Sequence, residues 1–387
     1  MTSELGHDPL GDQVVHVRNA FRERAGSAPD GIWVAPGRVN LIGDHTDHND
    51  GFVLPLAIER YVVAAVARRE DGRVRAWSLQ ERAPAVFEVA KIGRNEPGGW
   101  AAYIAGVAWA IGQGGTAIGG FDLVLDGAVR PGAGLASSAA VECATALALA
   151  DLFAIGLSRQ ELARAARRAE VEIVGVPCGV MDQMALMCCQ EGSAMFLDTR
   201  SLEMEHLPLA LDDLTLLVVD VGTPHRLVEG WYARRLAECG AAARELGVAA
   251  LRDATPADLD RLVDETIGRR ARHVVTENRR VLDVVSLLRR DAIAEVGPML
   301  TASHVSLRDD FEVSTPELDA VVEACIRGGA LGARMTGAGF GGCVIALVPN
   351  DALSEVRRRV SDEAIAGDRG SPRSFAVTPA QGARRVA

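Results

Sequence analysis

Lysine is almost absent from this chain of 387 residues. Lys91 is its single lysine, and arginine supplies the remaining cationic side chains apart from histidine. A P-loop needs a lysine in the pattern G-x-x-x-x-G-K-[ST], and a protein kinase needs one in a V-A-I-K strand. Lys91 lies in EVAKIGRNE, which matches neither pattern. The sequence therefore argues against a P-loop enzyme, a protein kinase and a lysine Schiff-base enzyme.

Three further absences narrow the class of protein. The seven cysteines include no C-x-x-C pair, which argues against a disulfide framework or a zinc ribbon and favours reduced thiols. The net charge of -11 comes without a basic block, so neither a nucleic acid nor an anionic membrane is an expected partner. No uncharged apolar stretch reaches membrane-spanning length, and the N-terminus lacks a basic region followed by an apolar run. We expect a cytoplasmic monomer that acts on small molecules.

The length and the residue pattern favour two globular domains of mixed secondary structure. The chain is longer than one hydrophobic core usually supports, and 48% of its residues are hydrophobic. The segment MEHLPLALDDL (204–214) separates two mixed halves, and we place the domains at 14–205 and 206–387. A cleft between two such domains is a natural place for a site.

Periodicity and capping signals predict several elements. Ser158 and Glu161 form a capping box before a helix whose apolar positions are Leu162, Ala166, Ala169 and Ile173. A second helix is predicted at 316–327, since Pro316 opens it and two glycines follow it. Strands are predicted at 61–68, 121–125, 214–222 and 343–349.

Titratable side chains crowd the segment GRVNLIGDHTDHNDG (37–51). Such a composition fits either a metal-binding site or a site whose carboxylates bind the hydroxyl groups of a small molecule. No frame of the segment matches an EF-hand, which needs Asp or Asn at positions 1, 3 and 5 and Gly at position 6. A transition-metal site that uses His45 and His48 stays open as the alternative.

The second informative segment is RPGAGLASSAAVECATALALADLFA (130–154), where glycines precede an alanine-rich helix. Glycines let backbone amides face an anion, and a helix N-terminus adds unpaired N–H groups and the positive end of the helix dipole. Ser138 is placed to offer its hydroxyl to a phosphate or a cation. The alternative is a plain glycine turn with a serine N-cap, whereas a dinucleotide fingerprint fails because Ser137 stands at its third glycine. The predicted cradle comprises Gly132, Ala133, Gly134, Leu135, Ala136, Ser137 and Ser138.

A third glycine cluster, GARMTGAGFGGCVIALV (332–348), precedes an apolar strand. Taken alone, it is equally typical of a tight turn between a helix and a strand. Two glycine-rich loops and one acidic, histidine-bearing turn in a single chain together indicate ATP and a polar acceptor.

These three segments resemble the three motifs of the GHMP kinases, the superfamily of galactokinase, homoserine kinase, mevalonate kinase and phosphomevalonate kinase. Their order and spacing are similar to those of the galactokinase family, and the first motif resembles that family's own signature. The resemblance extends over nearly the whole chain after about residue 14. Further matching segments are WAAYIAGV (100–107), AEVEIVGVPCGVMDQMA (169–185), EGWYARRLAEC (229–239) and SHVSLRDDFEVSTPELD (303–319).

The resemblance implies a fold and an activity. The fold would be α+β, with an N-terminal α+β domain that has a left-handed crossover, a ferredoxin-like C-terminal domain, and the active site between them. The activity would be ATP- and Mg-dependent phosphorylation of the anomeric hydroxyl of α-D-galactose. One alternative is a 1-kinase for another sugar, N-acetylated or deoxygenated. Another is a non-catalytic paralogue that senses galactose and ATP, against which the full-length GAGLASSAA loop argues.

The resemblance also implies residue roles. Asp182 would be the catalytic carboxylate, paired with Arg38, although an Asp before an apolar run is also a common helix cap. Ser138 and Glu170 would hold Mg, whereas the pattern alone favours a surface ion pair of Glu170 with Arg167. Trp100 and Tyr103 would edge the adenine pocket, although a W-x-x-Y pair on a helix is more often core. Besides Arg38, the sugar would contact Asp44, His45, Thr46, Asp47, Gly179 and Tyr232.

The chain departs from the family pattern at three positions. The usual glutamate after LIG is Asp44, the usual tyrosine is His48, and the first serine of the loop's serine run is Ala136. Asp44 and His48 lie on the sugar side, so they bear on which sugar is bound and not on the kinase chemistry.

Overall fold

The computed structural model describes residues 8–115, 117–222, 228–366 and 372–387. Its largest sheet has the strand order β13-β1-β3-β6-β4-β5, a four-stranded sheet has the order β10-β11-β9-β12, and a small sheet has the order β2-β7-β8. The strands are β1 Gly31–Asn40, β2 Phe52–Val53, β3 Pro55–Arg69, β4 Arg73–Ser78, β5 Ala85–Glu88, β6 Gly120–Gly127, β7 Ser193–Asp198, β8 Met204–Pro208, β9 Leu214–Asp220, β10 Gly332–Thr336, β11 Cys343–Pro349, β12 Arg373–Val377 and β13 Arg384–Arg385.

Helices cover these sheets and connect them. Within the described ranges, no helix has both the length and the apolar composition that crossing a membrane requires. The helices are α1 Pro9–Ala25, α2 Ala101–Gly112, α3 Ser137–Leu152, α4 Arg159–Arg168, α5 Met181–Cys188, α6 Val228–Leu246, α7 Glu265–Leu288, α8 Gly297–Asp309, α9 Pro316–Arg327 and α10 Leu353–Ala366.

Strand pairing places the start of the first motif at a β-bulge in the largest sheet. β1 and β3 pair antiparallel, and their register shifts between Pro36 and Gly37, where the first motif begins. β4 and β6 pair in parallel, and the chain between them passes through β5 and α2. β13 returns from the end of the chain to pair with β1. Bulges of this kind redirect side chains near functional sites.

Several sequence predictions are confirmed. The predicted strand at 343–349 and the predicted helix at 316–327 have the observed bounds of β11 and α9. The strand predicted at 121–125 is β6, and the one predicted at 214–222 is β9, which ends at Asp220. The strand predicted at 61–68 lies within the longer β3. The division into domains at 205/206 stays a prediction.

The helix that follows the capping box widens before it ends. Ser158 and Glu161 form the predicted box, and α4 continues as a π-helical turn over Ala169–Val174. The predicted apolar face is buried, and Gly106 lets α2 approach closely, since a Cβ there would lie 2.9 Å from the Ala169 Cβ. π-turns occur often at functional sites, and this one carries Glu170.

Helix α7 holds the first motif from behind. The Gly43 amide donates to the Glu277 carboxylate (3.0 Å), and the Phe52 amide donates to the Asn278 side-chain carbonyl (2.9 Å). These side chains satisfy one backbone amide before β2 and one in β2 itself. The segment of residues 41–53 is therefore held by the C-terminal half of the chain.

Glu277 is the central buried charge of this contact. It also accepts hydrogen bonds from the Ser303 hydroxyl (2.6 Å) and the Arg280 guanidinium (2.7 Å). Burial alone would raise the pKa of Glu277, but Arg280, with help from other positive groups, lowers it to about 2. The ionised carboxylate therefore stabilises the fold above its ordinary pKa of 4.5, and this stabilisation is lost as the pH falls through about 2.

Replacing Glu277 by Ala should destabilise the protein by about 3–5 kcal/mol, because the buried Gly43 amide and Ser303 hydroxyl would lose their acceptor and Arg280 would lose its charged partner. Asp283→Ala is the matched control on the same helix, since Asp283 pairs with Arg279 at the surface. Its loss should stay below about 0.5 kcal/mol. Urea unfolding followed by circular dichroism gives both values, and equal losses would contradict the role assigned to Glu277.

Candidate active site

A cavity of about 170 Å³ lies where the first motif, the segment before α5 and the third glycine cluster meet. The structure brings together in its wall every residue predicted to contact the sugar, with the exception of Thr46. The lining residues are Arg38, Asp44, His45, Asp47, Val176, Pro177, Cys178, Gly179, Met181, Asp182, Tyr232, Gly337 and Ala338.

Arg38 and Asp182 form a two-pronged ion pair at this cavity. Arg38 Nε and Nη2 donate to the two carboxylate oxygens of Asp182 at 2.8 and 2.7 Å, while Nη1 donates to the Gly134 carbonyl. Burial raises the pKa of Asp182, and Arg38 opposes this shift. The Asp182 side chain still exposes 31% of its surface. The result is an oriented carboxylate that faces the cavity, and its pairing with Arg38 replaces the helix-cap alternative.

Asp44 is held by groups of the third glycine cluster. Its carboxylate pairs with the fully buried Arg334 and accepts a hydrogen bond from the Gly337 amide at 3.2 Å. Burial raises the pKa of Asp44, and Arg334 opposes the shift. Its backbone carbonyl accepts from His273 Nε2 at 3.1 Å. Both carboxylate oxygens of Asp44 are therefore already bonded to the protein.

His45 presents an unsatisfied ring to the cavity. Within the described residues, neither ring nitrogen has a hydrogen bond of standard geometry, and the Ala338 backbone interacts with the ring only outside that geometry. Burial lowers the pKa of His45 well below its usual value. A neutral imidazole offers one donor and one acceptor, so His45 can either donate a hydrogen bond to a ligand hydroxyl or accept one from it.

Asp47 and Tyr232 complete the polar wall. Burial alone would raise the pKa of Asp47, but the contact with His48 at 3.5 Å, with help from other groups, prevails and lowers the pKa, so the carboxylate is charged. Burial raises the pKa of Tyr232 well above its usual value, so its hydroxyl keeps its proton. Gly179 is required beside Asp47, because a Cβ there would lie 1.6 Å from Asp47 Oδ2.

Two expectations for the first motif need revision. Thr46 is fully buried, and its hydroxyl lies within hydrogen-bond distance of the carbonyls of Gly43 (2.8 Å) and Phe52 (2.7 Å), so it closes the loop and is absent from the cavity lining. The alternative of a metal site on His45 and His48 has no support, because no group of three or more candidate ligands occurs in the described parts of the chain.

The glycine loops approach one another so closely that two glycines are needed. A Cβ at Gly37 would lie 2.9 Å from the Leu135 carbonyl oxygen, and a Cβ at Gly337 would lie 2.9 Å from that of Gly134. The Arg38 amide donates to the Leu135 carbonyl at 3.1 Å. The predicted cradle is therefore flanked on both sides by the segments that form the cavity.

The N-terminus of α3 is open at this junction. Its N-cap is Ala136, in the left-handed region with φ 62°, and alanine has no side-chain oxygen to cap the helix. Ser137 and Ser138 are the first residues of α3, and both are half-buried. The serine N-cap alternative is therefore not adopted, and the first-turn amides remain available to an anion.

The residues predicted to hold Mg²⁺ lie together. Glu170 is buried, accepts a hydrogen bond from Gln183 Nε2 (2.7 Å) and interacts with the Ser138 hydroxyl, which helps to lower its pKa. Burial, followed by the charge of Asp182, raises its pKa. Arg167 donates instead to two backbone carbonyls of the segment before α5. A carboxylate and a hydroxyl are hard oxygen ligands, and Mg²⁺ often takes only one or two protein ligands beside phosphates, so the residues present fit this ion.

Other residues at the site were missed from the sequence. Glu142, fully buried in α3, accepts a hydrogen bond from Gln183 Nε2 at 3.1 Å, and burial raises its pKa well above normal. A lone acidic residue in an alanine-rich helix was the available signal. For Arg334, the sequence offered no signal other than its position in the third glycine cluster. Trp100 and Tyr103 lie at the start of α2 and outside the cavity lining, so their contact with adenine stays a prediction.

Fold and site together define a small-molecule kinase of the GHMP class. Family models match the chain at three places: the galactokinase galactose-binding signature at 19–68, the GHMP kinases N terminal domain at 102–190, and the GHMP kinases C terminal at 284–366. The structure of Methanococcus jannaschii mevalonate kinase superimposes with a TM-score of 0.67 at 18% identity, over 90% of this chain and 98% of that one, and shares the fold. The predicted α+β GHMP fold is confirmed.

Within this class, the most informative relatives are galactokinases. The chain is 48% identical to a galactokinase of Streptomyces coelicolor over 96% of this chain and 98% of the relative, and 46% identical to one of Streptomyces lividans over 90% and 89%. The crystal structure of Lactococcus lactis galactokinase complexed with galactose superimposes with a TM-score of 0.93 at 31% identity, covering 96% of this chain and all of that one. The chain belongs to the galactokinase family.

Glu170→Gln should weaken divalent-cation binding by removing a charged oxygen ligand, and Ser138→Ala should weaken it less, because a neutral hydroxyl contributes less than a carboxylate. Glu172→Gln is the matched control in the same π-helical turn, since Glu172 pairs with Arg168 at the surface. Electron paramagnetic resonance of Mn²⁺ in the presence of a non-hydrolysable ATP analogue measures the affinity. If both site variants bound Mn²⁺ like wild type, the metal role would be excluded.

Proposed function

We propose that this chain is an ATP- and Mg²⁺-dependent sugar 1-kinase that converts α-D-galactose to galactose 1-phosphate. The observation that carries the proposal is the Arg38–Asp182 pair, which joins a cavity lined with hydrogen-bonding groups to the open glycine loop. Membership of the galactokinase family supports it, as does the high structural similarity to an enzyme whose structure contains galactose.

The cavity wall offers both hydrogen-bond donors and hydrogen-bond acceptors to a sugar. The charged Asp47 accepts, the protonated Tyr232 hydroxyl donates or accepts, and neutral His45 does either. A hexose presents hydroxyls that need both donors and acceptors, and a buried site that satisfies them discriminates strongly against analogues lacking one.

Asp182 is the residue that receives the proton of the attacking hydroxyl. The anomeric oxygen forms a bond to the γ-phosphorus, its proton passes to an Asp182 carboxylate oxygen, and ADP leaves with the electrons of the broken bond. Because burial raises the pKa of Asp182, it accepts a proton more readily than an exposed aspartate. Arg38 holds this carboxylate in place and offsets the charge of the phosphoryl group.

The phosphates of ATP would lie on the glycine loop, where backbone amides and the α3 dipole face them. Ser138 and Glu170 would hold the Mg²⁺ ion, which neutralises phosphate charge when bound. We further propose that Trp100 and Tyr103 edge the adenine, and that the protein works as a cytoplasmic monomer. The free state of all seven cysteines agrees with a reducing compartment.

A 1-kinase for a different sugar is the second candidate. Asp44 favours it, because its carboxylate is shorter than the usual glutamate and is bonded to Arg334 and Gly337. The wall beside Asp44 is thus set back by about 1.3 Å, one methylene. A sensing paralogue without turnover is the least favoured alternative, since the glycine loop and Asp182 are both intact.

The proposed function is tested by phosphorus NMR of the product formed from galactose, ATP and Mg²⁺. We expect a phosphate on the anomeric oxygen and no product when the divalent cation is removed. A 6-phosphate, or no turnover of any free sugar in a panel that includes N-acetylgalactosamine and 2-deoxygalactose, would refute the assignment.

Asp182→Ala should reduce kcat by about 10²- to 10⁴-fold, the usual contribution of a general base. Affinity for ATP should change little, because the phosphate loop and the metal ligands remain. Single-turnover kinetics together with calorimetry of ATP-analogue binding separate the two effects. A variant with a kcat close to that of wild type would rule out Asp182 as the proton acceptor.

Asp44→Glu should improve kcat/KM for galactose if the shorter aspartate merely loosens the pocket, because the longer side chain would then carry a carboxylate toward the sugar. An unfilled gap at this wall costs about 1–3 kcal/mol, or roughly 5- to 150-fold in kcat/KM. The ratio is measured for galactose and for the best alternative sugar in both proteins. A decrease for galactose would mean that the pocket has repacked around aspartate, and equal changes for both sugars would show that Asp44 does not set specificity.

A further inference from the structure

His48 is a buried imidazole that lies directly behind the sugar-facing wall. Its side chain is only 4% exposed, and it is not among the residues that line the cavity. Nδ1 lies 3.5 Å from the Asp47 carboxylate and 3.3 Å from the Tyr232 hydroxyl. One ring nitrogen thus contacts two residues of the wall, one from the first motif and one from α6.

The groups around the ring determine its charge. Asp47 and His45 approach from its own loop, Tyr232 and Cys239 approach from α6, and the apolar Phe311 ring lies 6.5 Å away between centroids. Nε2 has no hydrogen bond of standard geometry within the described residues, and the Cys239 thiol interacts with the ring on the α6 side. Asp47 is the charged partner among these groups.

The electrostatic balance makes His48 a cation at neutral pH. Burial alone would lower its pKa, but interactions with Asp47 and Cys239 outweigh burial and raise it to about 9. The same contact lowers the pKa of Asp47. His45, 5.8 Å away between ring centroids, stays neutral because burial lowers its pKa. The two histidines of the motif therefore carry different charges.

We propose that His48 is a positioning residue, which fixes the Asp47 carboxylate and the Tyr232 hydroxyl where the sugar is received and makes sugar affinity depend on its positive charge. The inference rests on the proposed function, because it concerns a residue that supports the side chains of the same sugar site from behind. The Asp47 carboxylate packs against the Gly179 backbone, where a Cβ would lie 1.6 Å from Oδ2, and His48 contacts the same carboxylate at 3.5 Å.

The pH dependence follows from the sign of the shift. His48 is charged below a pH of about 9, so its ionic attraction to Asp47 is complete at neutral pH and is lost as the pH rises through about 9. Galactose affinity should therefore fall at high pH, by about tenfold, the effect of one charge-assisted hydrogen bond. The chemical step should change less, because Asp182 and Arg38 do not contact His48.

The test is isothermal titration calorimetry of galactose binding between pH 7 and 10. We expect wild type to lose affinity with a midpoint near pH 9, and His48→Gln to bind about tenfold more weakly at pH 7.5 with a flat profile. The kcat of the variant at saturating galactose should stay within about threefold of wild type. His206→Gln is the matched control, since His206 contacts the Cys188 carbonyl away from the cavity, and it should behave as wild type.

A second variant keeps the test independent of the folding of His48→Gln. Cys239→Ala removes a group that raises the pKa of His48, so the midpoint of the wild-type profile should move to lower pH. A flat wild-type profile, an unmoved midpoint, or an unchanged profile in His48→Gln would overturn the role of His48 and leave the proposed function standing. Absence of galactose binding by wild type at every pH would instead refute the proposed function, and this inference with it.

Discussion

Buried negative charge is the constraint on which the rest of this structure depends. The first motif carries carboxylates into the interior, where an unpaired carboxylate would cost several kcal/mol. Asp44 is paired with Arg334 of β10, and the backbone of the same loop is bonded to Glu277 of α7. These partners belong to the C-terminal half of the chain. These polar contacts are directional, whereas apolar packing is not. They therefore fix how the first motif is positioned against the C-terminal half of the chain.

The same pairing separates the properties of two carboxylates in the cavity. Burial acts on both Asp47 and Asp182, but His48 lowers the pKa of Asp47, whereas burial raises that of Asp182 despite its pairing with Arg38. Two carboxylates with pKa values moved in opposite directions can divide the work, one as a fixed charge and one as a proton acceptor. The neighbours of each aspartate, and not the residue type, decide which task it has.

Sequence patterns predicted the local elements better than the contacts between them. Hydrophobic periodicity and capping residues located β11, α9 and the Ser158 capping box, because these signals act over a few residues. The residues that the resemblance assigns to the sugar, apart from Thr46, line one cavity. Thr46 was misplaced, because a buried threonine and a ligand-binding threonine look alike in a motif. The return of β13 to β1 and the contact of His48 with Tyr232 join residues far apart in the chain, so no local pattern reports them.

The near absence of lysine is consistent with the geometry at Arg38. A lysine would bring one compact charge, whereas the planar guanidinium contacts both oxygens of Asp182 and also the Gly134 carbonyl of the glycine loop. One rigid group thereby sets the distance between the Asp182 carboxylate and the glycine loop. In-line phosphoryl transfer depends on that distance, and a misplacement of about 1 Å can cost 10²-fold in rate. Under the proposed function, Arg38 would therefore do more than offset phosphate charge: it would couple the position of Asp182 to that of the glycine loop.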